Sequence, residues 1–347
     1  MRVGGLGRLR RAAGRLGGRS EGRALILLYH RVAKLRTDPW GLAVTPHRFA
    51  EHLRVLRERA NPVRLGELSR ALRGGGLPDR SVVVTFDDGY LDNLRNAKPL
   101  LERHEVPATV FIASGFIGQE REFWWDELDR LLLQPGTLPE RVRLSVDGKT
   151  YEWELGEAAE YTKEDFQSHR GWKAWTESPT PRQRLYTSLY DLLRPLGAGE
   201  RRRKFAEVRA WRVDGPGRRP RHRPLSVEEI GSLQEGGLVE VGAHTVNHPL
   251  LSELPTPAQR REIGQSKARL EEIVGHRVGS FAYPYGKSAD YAAETVDLVR
   301  RAGFASACST VADAVRRSSD PFQLPRVWVR NCSGERLATQ LDRWFED

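Results

Sequence analysis

The feature that most constrains the fold of this chain is a buried strand that ends in two adjacent carboxylates. Residues 81–86 form a short run of β-branched and apolar residues, which is typical of a strand buried on both faces. The run leads directly into Asp87, Asp88 and Gly89. Ligands of parallel sheets and barrels bind beyond the carboxyl ends of the strands, so the pattern predicts a site at that edge. Taken alone, Asp-Asp-Gly is equally typical of a turn that caps a helix.

The same carboxylate pair also predicts a cation. Two adjacent carboxylates repel each other, so a positive group is expected beside them. A divalent metal held by one carboxylate would leave the other free to act as a base. Whether the pair forms a metal site therefore depends on the ligands that the rest of the chain supplies.

Strands and helices alternate on both sides of the Asp-Asp strand. Residues 23–29 are predicted to form a buried strand that ends at His30, and Thr45-Pro46 has the cap and first-turn residues that begin a helix. Strand, helix and strand at this spacing are typical of parallel βαβ units, so the predicted fold class is α/β. The other strands are predicted at 108–113, 238–243, 279–283, 305–308 and 325–329, and the other helices at 65–72, 91–104, 225–235, 256–274, 289–302 and 335–345.

Residues 119–224 interrupt this alternation and are predicted to be a mainly helical insertion in the main fold. A helix is predicted from Phe123 through Leu133, followed by a hairpin with its turn at Asp147-Gly148. The sequence then becomes charged, helical and rich in Trp up to a Pro/Arg loop. We expect the insertion to form one wall of a groove.

A second cluster of metal-ligand residues follows the strand predicted at 238–243. His244 and His248 are four residues apart, a spacing that places both on one face of a helical turn, where they can share a metal. Neutral imidazoles are good ligands for Zn²⁺, and a carboxylate completes an open three-ligand site. Surface or capping histidines are the alternative, but a second cluster at a strand end favours the metal site.

A third cluster, Tyr283-Pro284-Tyr285-Gly286, follows the strand predicted at 279–283. Its Pro and Gly predict a turn, and backbone N–H groups in such a turn are candidates for binding an oxyanion. An aromatic-rich turn without a chemical role is the alternative.

The charge of the chain is unevenly distributed. The formal net charge is +10, and residues 1–23 hold seven Arg and one Glu. A second basic run begins at residues 201–204. Neither run has regularly spaced aromatic residues, so a solvated face or a mobile tail is favoured over a nucleic-acid footprint.

Other features of the composition predict the compartment. The two cysteines, Cys308 and Cys332, do not suggest a disulfide framework and fit a reducing compartment. No apolar run approaches the ~20 residues that span a bilayer. Arg10-Arg11 resembles a twin-arginine start, but Arg15 and a Gly pair interrupt the segment that should be apolar. We therefore expect a cytoplasmic protein, with peripheral contact to anionic membrane as an option.

Together these clusters resemble the polysaccharide deacetylase family with NodB homology, whose members are metal-dependent de-N-acetylases on a distorted (β/α) barrel. Thr85-Phe86-Asp87-Asp88-Gly89-Tyr90 matches the first family motif, and His244-Thr245-Val246-Asn247-His248 matches the H-(S/T)-x-x-H motif. Tyr283-Pro284-Tyr285-Gly286 matches the later part of the R-x-P-Y motif. The resemblance covers about 24–118 and 225–330, so the barrel is expected to span 24–347 around the insertion.

The resemblance implies a role for each residue of these motifs. Asp87 would be the catalytic base, while Asp88, His244 and His248 would hold a divalent metal, with Zn²⁺ as the expected ion. The metal would polarise an acetamide carbonyl and lower the pKa of water, and Asp87 would take the proton. The backbone N–H of Tyr285 would help to bind the oxyanion.

Two parts of the family pattern are displaced. The motif Arg aligns with Ala282, and Arg326 is the candidate that would supply a guanidinium from the last strand instead. The late L-x-H motif, which supplies the general acid, is absent after Arg326, but Leu28-Tyr29-His30 has its pattern. First and last strands are neighbours in a closed barrel, so His30 is the candidate acid. A core histidine beside the first strand is the alternative.

The function expected from this resemblance is metal-dependent removal of N-acetyl groups from an amino-sugar glycan or glycan precursor. The alternatives are a metal-dependent amidase of a non-glycan substrate, a non-catalytic carbohydrate-binding module, and a nucleic-acid binder. The insertion is expected to determine substrate choice, because aromatic faces stack on sugar rings. Otherwise its Trp residues pack the insertion's own core. They are Trp124, Trp125, Trp153, Trp172, Trp175 and Trp211.

Overall fold

The computed structural model describes residues 22–74, 76, 79–212 and 217–346. The predicted basic segment 1–23 therefore lies outside the described residues, except for its last two positions. None of the described helices is both long and apolar enough to cross a lipid bilayer.

Within the described residues, eight parallel strands form one sheet, and seven of them make the wall of a barrel. The seven are β1 (Ala24–Tyr29), β2 (Ser81–Phe86), β3 (Ala108–Ile112), β4 (Val239–Ala243), β5 (Ser280–Ala282), β6 (Ser306–Cys308) and β7 (Val327–Trp328). Neighbouring strands are hydrogen-bonded in the order β6-β5-β4-β3-β2-β1-β7, and the eighth strand, Asn61–Pro62, pairs with the start of β2. Cys308 at the end of β6 bridges in parallel to Leu324, three residues before β7, and this contact closes the ring.

The structure confirms the α/β fold class and the barrel. It also confirms that the first and last strands lie side by side. Leu27 of β1 pairs with Val327 of β7, and Leu28 pairs with Trp328. β1 and β2 are buried over their full lengths, as the apolar sequence of β1 and the β-branched and apolar sequence of β2 predicted. The carboxyl ends of all these strands therefore meet at one rim.

Helices surround the barrel, and most begin where the sequence predicted. The Thr45 side chain caps α1, and Ser226 and Glu229 form the predicted capping box of α8. The predicted helix 91–104 begins as a π-helical turn, Asn93–Ala97. The barrel helices are α1 (Pro46–Arg59), α2 (Leu65–Gly74), α3 (Lys98–His104), α8 (Val227–Gln234), α9 (Thr256–Val274), α10 (Ala293–Arg301) and α11 (Gly334–Glu346).

One predicted helix begins four residues later than expected. Residues 289–302 were predicted as helical, but α10 begins at Ala293. The reason is a turn closed by the Asp290 carboxylate, which accepts a hydrogen bond of 2.9 Å from the Lys287 amide. Asp side chains commonly stabilise such turns in competition with a helix.

The residues predicted as an insertion contain the remaining helices and an antiparallel hairpin. Asp147 and Gly148 at the hairpin turn have φ of 50° and 75°, the positive values of a type I′ turn. These elements pack around an apolar cluster distinct from that of the barrel, and Trp124 and Trp125 are buried in it. The elements are α4 (Trp124–Leu132), α5 (Lys163–His169), α6 (Pro181–Leu193), α7 (Ala198–Ala210), and the hairpin strands Arg141–Val146 and Lys149–Glu154.

Candidate metal centre and catalytic residues

The Asp-Asp pair lies where the sequence predicted, at the carboxyl end of β2. Both side chains are buried, each with about 3% of its surface exposed. Asp88 and Gly89 have φ of 74° and 83°, so the chain turns sharply as soon as it leaves the strand. A Cβ atom at Gly89 would lie 3.1 Å from Ile112, so only glycine fits this turn without displacing β3.

The turn brings Asp88 together with both predicted histidines. The Asp88 carboxylate lies 3.7 Å from Nε2 of His244 and 3.5 Å from Nε2 of His248. One donor atom from each of the three residues lies within 4.8 Å of the other two. One carboxylate and two imidazoles at this separation match the donor set of an open zinc site.

The chemistry of the donors also fits a cation. Burial raises the pKa of Asp88 well above its usual range, and the charges of Asp87 and Asp126 raise it further. Burial lowers the pKa of both His244 and His248, so the imidazoles are neutral and able to bind a metal. A buried carboxylate beside another carboxylate is stabilised as an anion when a cation lies against it.

The orientation of His244 is fixed by the neighbouring strand. Its Nδ1 lies 2.7 Å from the carbonyl oxygen of Ala282 at the end of β5. Because a carbonyl oxygen can only accept, Nδ1 carries the proton and Nε2 presents its lone pair to Asp88. This is the arrangement in which metal-binding histidines are held by a second contact.

The predicted helical turn at residues 244–248 is wrong, because the segment is a loop. Thr245 and His248 have φ of 64° and 50°, which a right-handed helix excludes. The Thr245 hydroxyl accepts a hydrogen bond of 3.1 Å from the His248 amide and closes the loop. His248 still lies 3.5 Å from Asp88, so the predicted grouping of these residues is present although the predicted backbone conformation is wrong.

The loop is held from outside by residues that the sequence did not indicate. The Glu262 carboxylate, on α9, accepts hydrogen bonds of 2.9 and 2.8 Å from the amides of Val246 and Asn247. It also accepts a bond of 2.7 Å from the Asn247 side chain. Arg201, on α7 of the insertion, donates a bond of 2.8 Å to the Asn247 carbonyl.

Asp87 is paired with a guanidinium instead of lying among the metal ligands. Two hydrogen bonds of 2.7 Å join its carboxylate oxygens to Nη1 and Nη2 of Arg326, which is fully buried. Burial opposes ionisation of Asp87, but Arg326 and, to a smaller extent, His244 outweigh it and lower the pKa of Asp87. The predicted pairing of these two residues is therefore present in the structure.

His30 lies beside this pair, at the same rim. Tyr29 and Phe86 are paired across β1 and β2, so the next residues along, His30 and Asp87, are neighbours. The His30 ring is half-buried and packs on Trp328 with ring centroids 5.0 Å apart. Burial lowers the pKa of His30 to about 4, against an opposing effect of Asp87. His30 thus lies at the edge of the site and not in the barrel core.

Tyr285 contributes its ring and its backbone to the opposite side of the site. Its φ of 61° marks a tight turn, and its ring packs on His248 with centroids 4.7 Å apart. Among the described residues, the Tyr285 amide donates to no backbone or side-chain acceptor. The Arg194 guanidinium, from the insertion, lies 4.3 Å above the ring.

Strained backbone is concentrated around these residues. Four of the seven non-glycine residues with positive φ in the described part of the chain are Asp88, Thr245, His248 and Tyr285. Such conformations cost roughly 1–3 kcal/mol each and persist where the surrounding structure enforces them. Their clustering indicates that this rim is a functional site.

Comparison with known proteins shows which family the chain resembles. The sequence profile of the polysaccharide deacetylase family matches residues 74–140 and 213–307, which include the Asp-Asp pair and both histidines. The chain is similar to the polysaccharide deacetylase family over these two segments. The gap in the match, between residues 140 and 213, falls within the predicted insertion 119–224.

Curated polysaccharide deacetylases match part of the chain. The putative polysaccharide deacetylase YxkH of Bacillus subtilis is 25% identical over 142 residues, which cover 40% of this chain and 50% of that protein. A poly-beta-1,6-N-acetyl-D-glucosamine N-deacetylase of Staphylococcus aureus is 31% identical over 113 residues, 29% of this chain and 39% of that protein. The chain thus matches half or less of the length of these relatives.

Solved deacetylase structures have the same fold over nearly the whole chain. The deacetylase PplD of Streptococcus pyogenes, solved with acetate, superposes with a TM-score of 0.57 at 18% identity, covering 93% of this chain and 99% of that one. IcaB of Ammonifex degensii superposes with a TM-score of 0.56 at 21% identity, covering 92% and 97%. At these identities the likeness establishes the barrel fold.

Trp125 and Asp126, in the predicted insertion, contact residues at the candidate site, and the sequence did not indicate these particular contacts. Trp125 packs on His248 with ring centroids 4.9 Å apart and donates a hydrogen bond of 2.7 Å to the Tyr90 hydroxyl. Tyr90 in turn donates a bond of 2.8 Å to the buried Asp126 carboxylate. In the sequence, Trp125 and Asp126 are recognisable only as residues near the start of a predicted helix. That position does not indicate a contact with His248 or Tyr90.

Proposed function

We propose that this chain is a metal-dependent hydrolase that removes N-acetyl groups from an amino-sugar glycan. The observation that carries the proposal is the contrast between two adjacent carboxylates. Asp87 is paired with Arg326 and its pKa is lowered, whereas Asp88 faces two imidazoles and its pKa is raised. Two carboxylates whose surroundings separate their pKa values are typical of an acid–base site with divided roles.

In this proposal Asp88, His244 and His248 hold the divalent ion. Their donor types and separations fit Zn²⁺, which we propose as the native ion. When bound, the ion would act as a Lewis acid that polarises the acetamide carbonyl and lowers the pKa of the attacking water.

Asp87 is the proposed general base. Its lowered pKa keeps it ionised at neutral pH, so that it can take a proton from the attacking water. Arg326 is the positioning residue, because its two parallel hydrogen bonds fix both carboxylate oxygens.

Two further groups are proposed to assist the reaction. The Tyr285 amide would donate to the oxyanion that develops on the acetamide oxygen. His30 would deliver a proton to the leaving amine. Because its pKa is about 4 in the free site, His30 is neutral at pH 7, so the proton that it passes to the leaving amine would be the one that Asp87 takes from the attacking water.

The proposed substrate class is a glycan that contains N-acetylated amino sugars. The support is the matched poly-beta-1,6-N-acetyl-D-glucosamine N-deacetylase and the family itself. The deciding experiment is to incubate the zinc-loaded protein with a panel of N-acetylated glycans and with formamides and cyclic imides, and to measure acetate and free amine from the glycans, formate from the formamides and ring-opened product from the imides. Equal amounts of acetate and amine from the glycans are expected. Hydrolysis of the non-glycan amides alone, or binding without acetate release, would refute the proposal.

A further inference from the structure

A cavity opens beside the proposed catalytic centre. The loops after the first and last barrel strands form one side of it, and the predicted insertion forms the other. Its volume is about 400 Å³, within the range of ligand pockets. It is lined by residues 33–38 after β1, by Arg330 and Asn331 after β7, and by residues 170–175 of the insertion. Because β1 and β7 end at the rim that holds Asp87, the loops that line the cavity begin at that rim.

A stack of flat side chains leads from the catalytic centre into this cavity. The His30 ring packs on Trp328, and the Arg330 guanidinium lies 3.8 Å from the centre of the Trp328 ring. The same guanidinium lies 4.6 Å from the centre of the Trp175 ring and donates hydrogen bonds of 2.8 and 3.1 Å to the carbonyls of Trp40 and Gly41. Arg330 is therefore held between two indoles, one next to His30 and the other in the cavity.

Trp175 is unusual in its exposure. With 55% of its surface accessible, it is the only aromatic among the large hydrophobic side chains that are exposed in the described residues. The space around it is built in part by Gly41, where a Cβ atom would lie 2.9 Å from Trp175 and 2.6 Å from Arg330. Lys173 Nζ lies 5.9 Å from the ring centre, and more than half of the Trp175 surface stays accessible to a ligand. An indole held in this way binds a ligand at little cost in conformational entropy.

The charge of the cavity is strongly positive. Lys173 pairs with Asp38 at 3.3 Å, and that carboxylate also accepts a hydrogen bond of 2.8 Å from the Leu42 amide. The four other cations in the lining form no ion pair with another described residue, and all are exposed. They are Lys34, Arg36, Arg170 and Arg330.

We infer that this cavity binds an anionic segment of the glycan, so that Trp175 stacks on a sugar ring while Lys34, Arg36, Arg170 and Arg330 bind its carboxylate or phosphate groups. Exposed cations around one exposed aromatic ring select a ligand that is both flat-faced and negatively charged. The inference rests on the proposed glycan activity, since it takes the acetylated residue to lie at Asp87.

The test compares two hexasaccharides that differ in charge. One alternates glucuronic acid with N-acetylglucosamine, and the other is N-acetylglucosamine throughout. Binding to the zinc-loaded full chain is followed by tryptophan fluorescence, and acetate release is measured separately. We expect the anionic hexasaccharide to bind about tenfold more tightly, a ratio that corresponds to about 1.4 kcal/mol and is in the range of two exposed charge contacts together. The advantage should shrink as salt is added.

Two variants and a control assign the preference to the cavity. In Lys34→Gln/Arg170→Gln the tenfold advantage should fall to about twofold or less. Trp175→Ala should abolish most of the fluorescence change. The matched control is Arg143→Gln, an exposed arginine on the hairpin that does not line the cavity, and it should keep the wild-type preference.

Equal binding of the two hexasaccharides by the wild type, or a preference that survives in the double variant, would overturn the inference. Vesicles of phosphatidylglycerol serve as a competitor. If they bind through the same cations while the anionic hexasaccharide does not bind, the surface belongs to a membrane and the inference is wrong. If the binding preference holds but neither sugar releases acetate, the proposed function fails while the anionic site stands.

Discussion

Arg326 and Asp87, 239 positions apart in the chain, are joined by two hydrogen bonds of 2.7 Å between guanidinium and carboxylate. The guanidinium is anchored from behind by a bond of 2.7 Å to the carbonyl of Ser309. Closure of the barrel brings the two residues together, because Arg326 directly precedes β7 and Asp87 directly follows β2. The rim thus presents a carboxylate whose pKa and orientation are both controlled by a residue distant in sequence.

The first prediction concerns Arg326→Ala. Without the guanidinium, burial raises the pKa of Asp87, so the base becomes ionised only at higher pH. We expect the acidic limb of the pH–rate profile to move to higher pH and turnover at pH 7 to fall by about 10²-fold. Arg326→Lys retains a single charge and should restore part of the activity. An unchanged acidic limb in both variants would exclude Arg326 as the positioning residue.

The second prediction separates the two carboxylates. Asp87→Asn should keep the metal and lose turnover by about 10²-fold or more, because the base is removed while the ligands remain. Asp88→Asn should instead lose metal, which elemental analysis of the purified variants detects. Loss of metal from Asp87→Asn, combined with activity in Asp88→Asn, would reverse the assignment.

The third prediction concerns Glu262, which holds the loop of the metal ligands through three hydrogen bonds. Glu262→Ala should weaken metal binding by roughly 10–100-fold, as removal of groups that orient metal ligands typically does. Glu272→Ala, an exposed residue on the same helix, is the matched control and should bind metal as the wild type does. Equal metal affinity in the two variants would mean that the loop does not need Glu262.

The fourth prediction concerns His30. His30→Ala should lower turnover and leave the metal content unchanged, because the imidazole lies beside Asp87 and outside the ligand triad. A substrate with a leaving amine of low pKa needs less help from an acid, so it should lose less activity in the variant. If His30→Ala lowers turnover by the same factor for all substrates, His30 has a structural role only.

The barrel could be predicted from the sequence because its strands are marked locally. The β-branched and apolar sequence of β2 is typical of a buried strand, and the Asp pair directly after it indicates the position of the rim. The pairing of Arg326 with Asp87 could be predicted only because a closed barrel was expected to bring the last strand to the same rim. Metal identity, location in the cell, peripheral lipid contact and the boundaries of the insertion stay predictions.

Other parts of the site could not be predicted, because they depend on tertiary contacts. The spacing of four residues between His244 and His248 fits a helix and a tight loop equally. The positive φ of His248 cannot be predicted from the sequence, because the residue is not a glycine. Glu262 is one of several acidic residues on α9, and nothing local separates it from Glu272. Trp125 acts through Tyr90 and His248, which belong to distant segments.

The most direct test of the account is to titrate metal-free protein with Zn²⁺ and to follow bound metal and acetate release together. We expect both to rise in parallel and to level off at one ion per chain, with the fold unchanged by circular dichroism. His244→Ala should bind no ion at that site and release no acetate, while His47→Ala, an exposed histidine on α1, should match the wild type. Acetate release without metal, or full metal content in His244→Ala, would contradict the account.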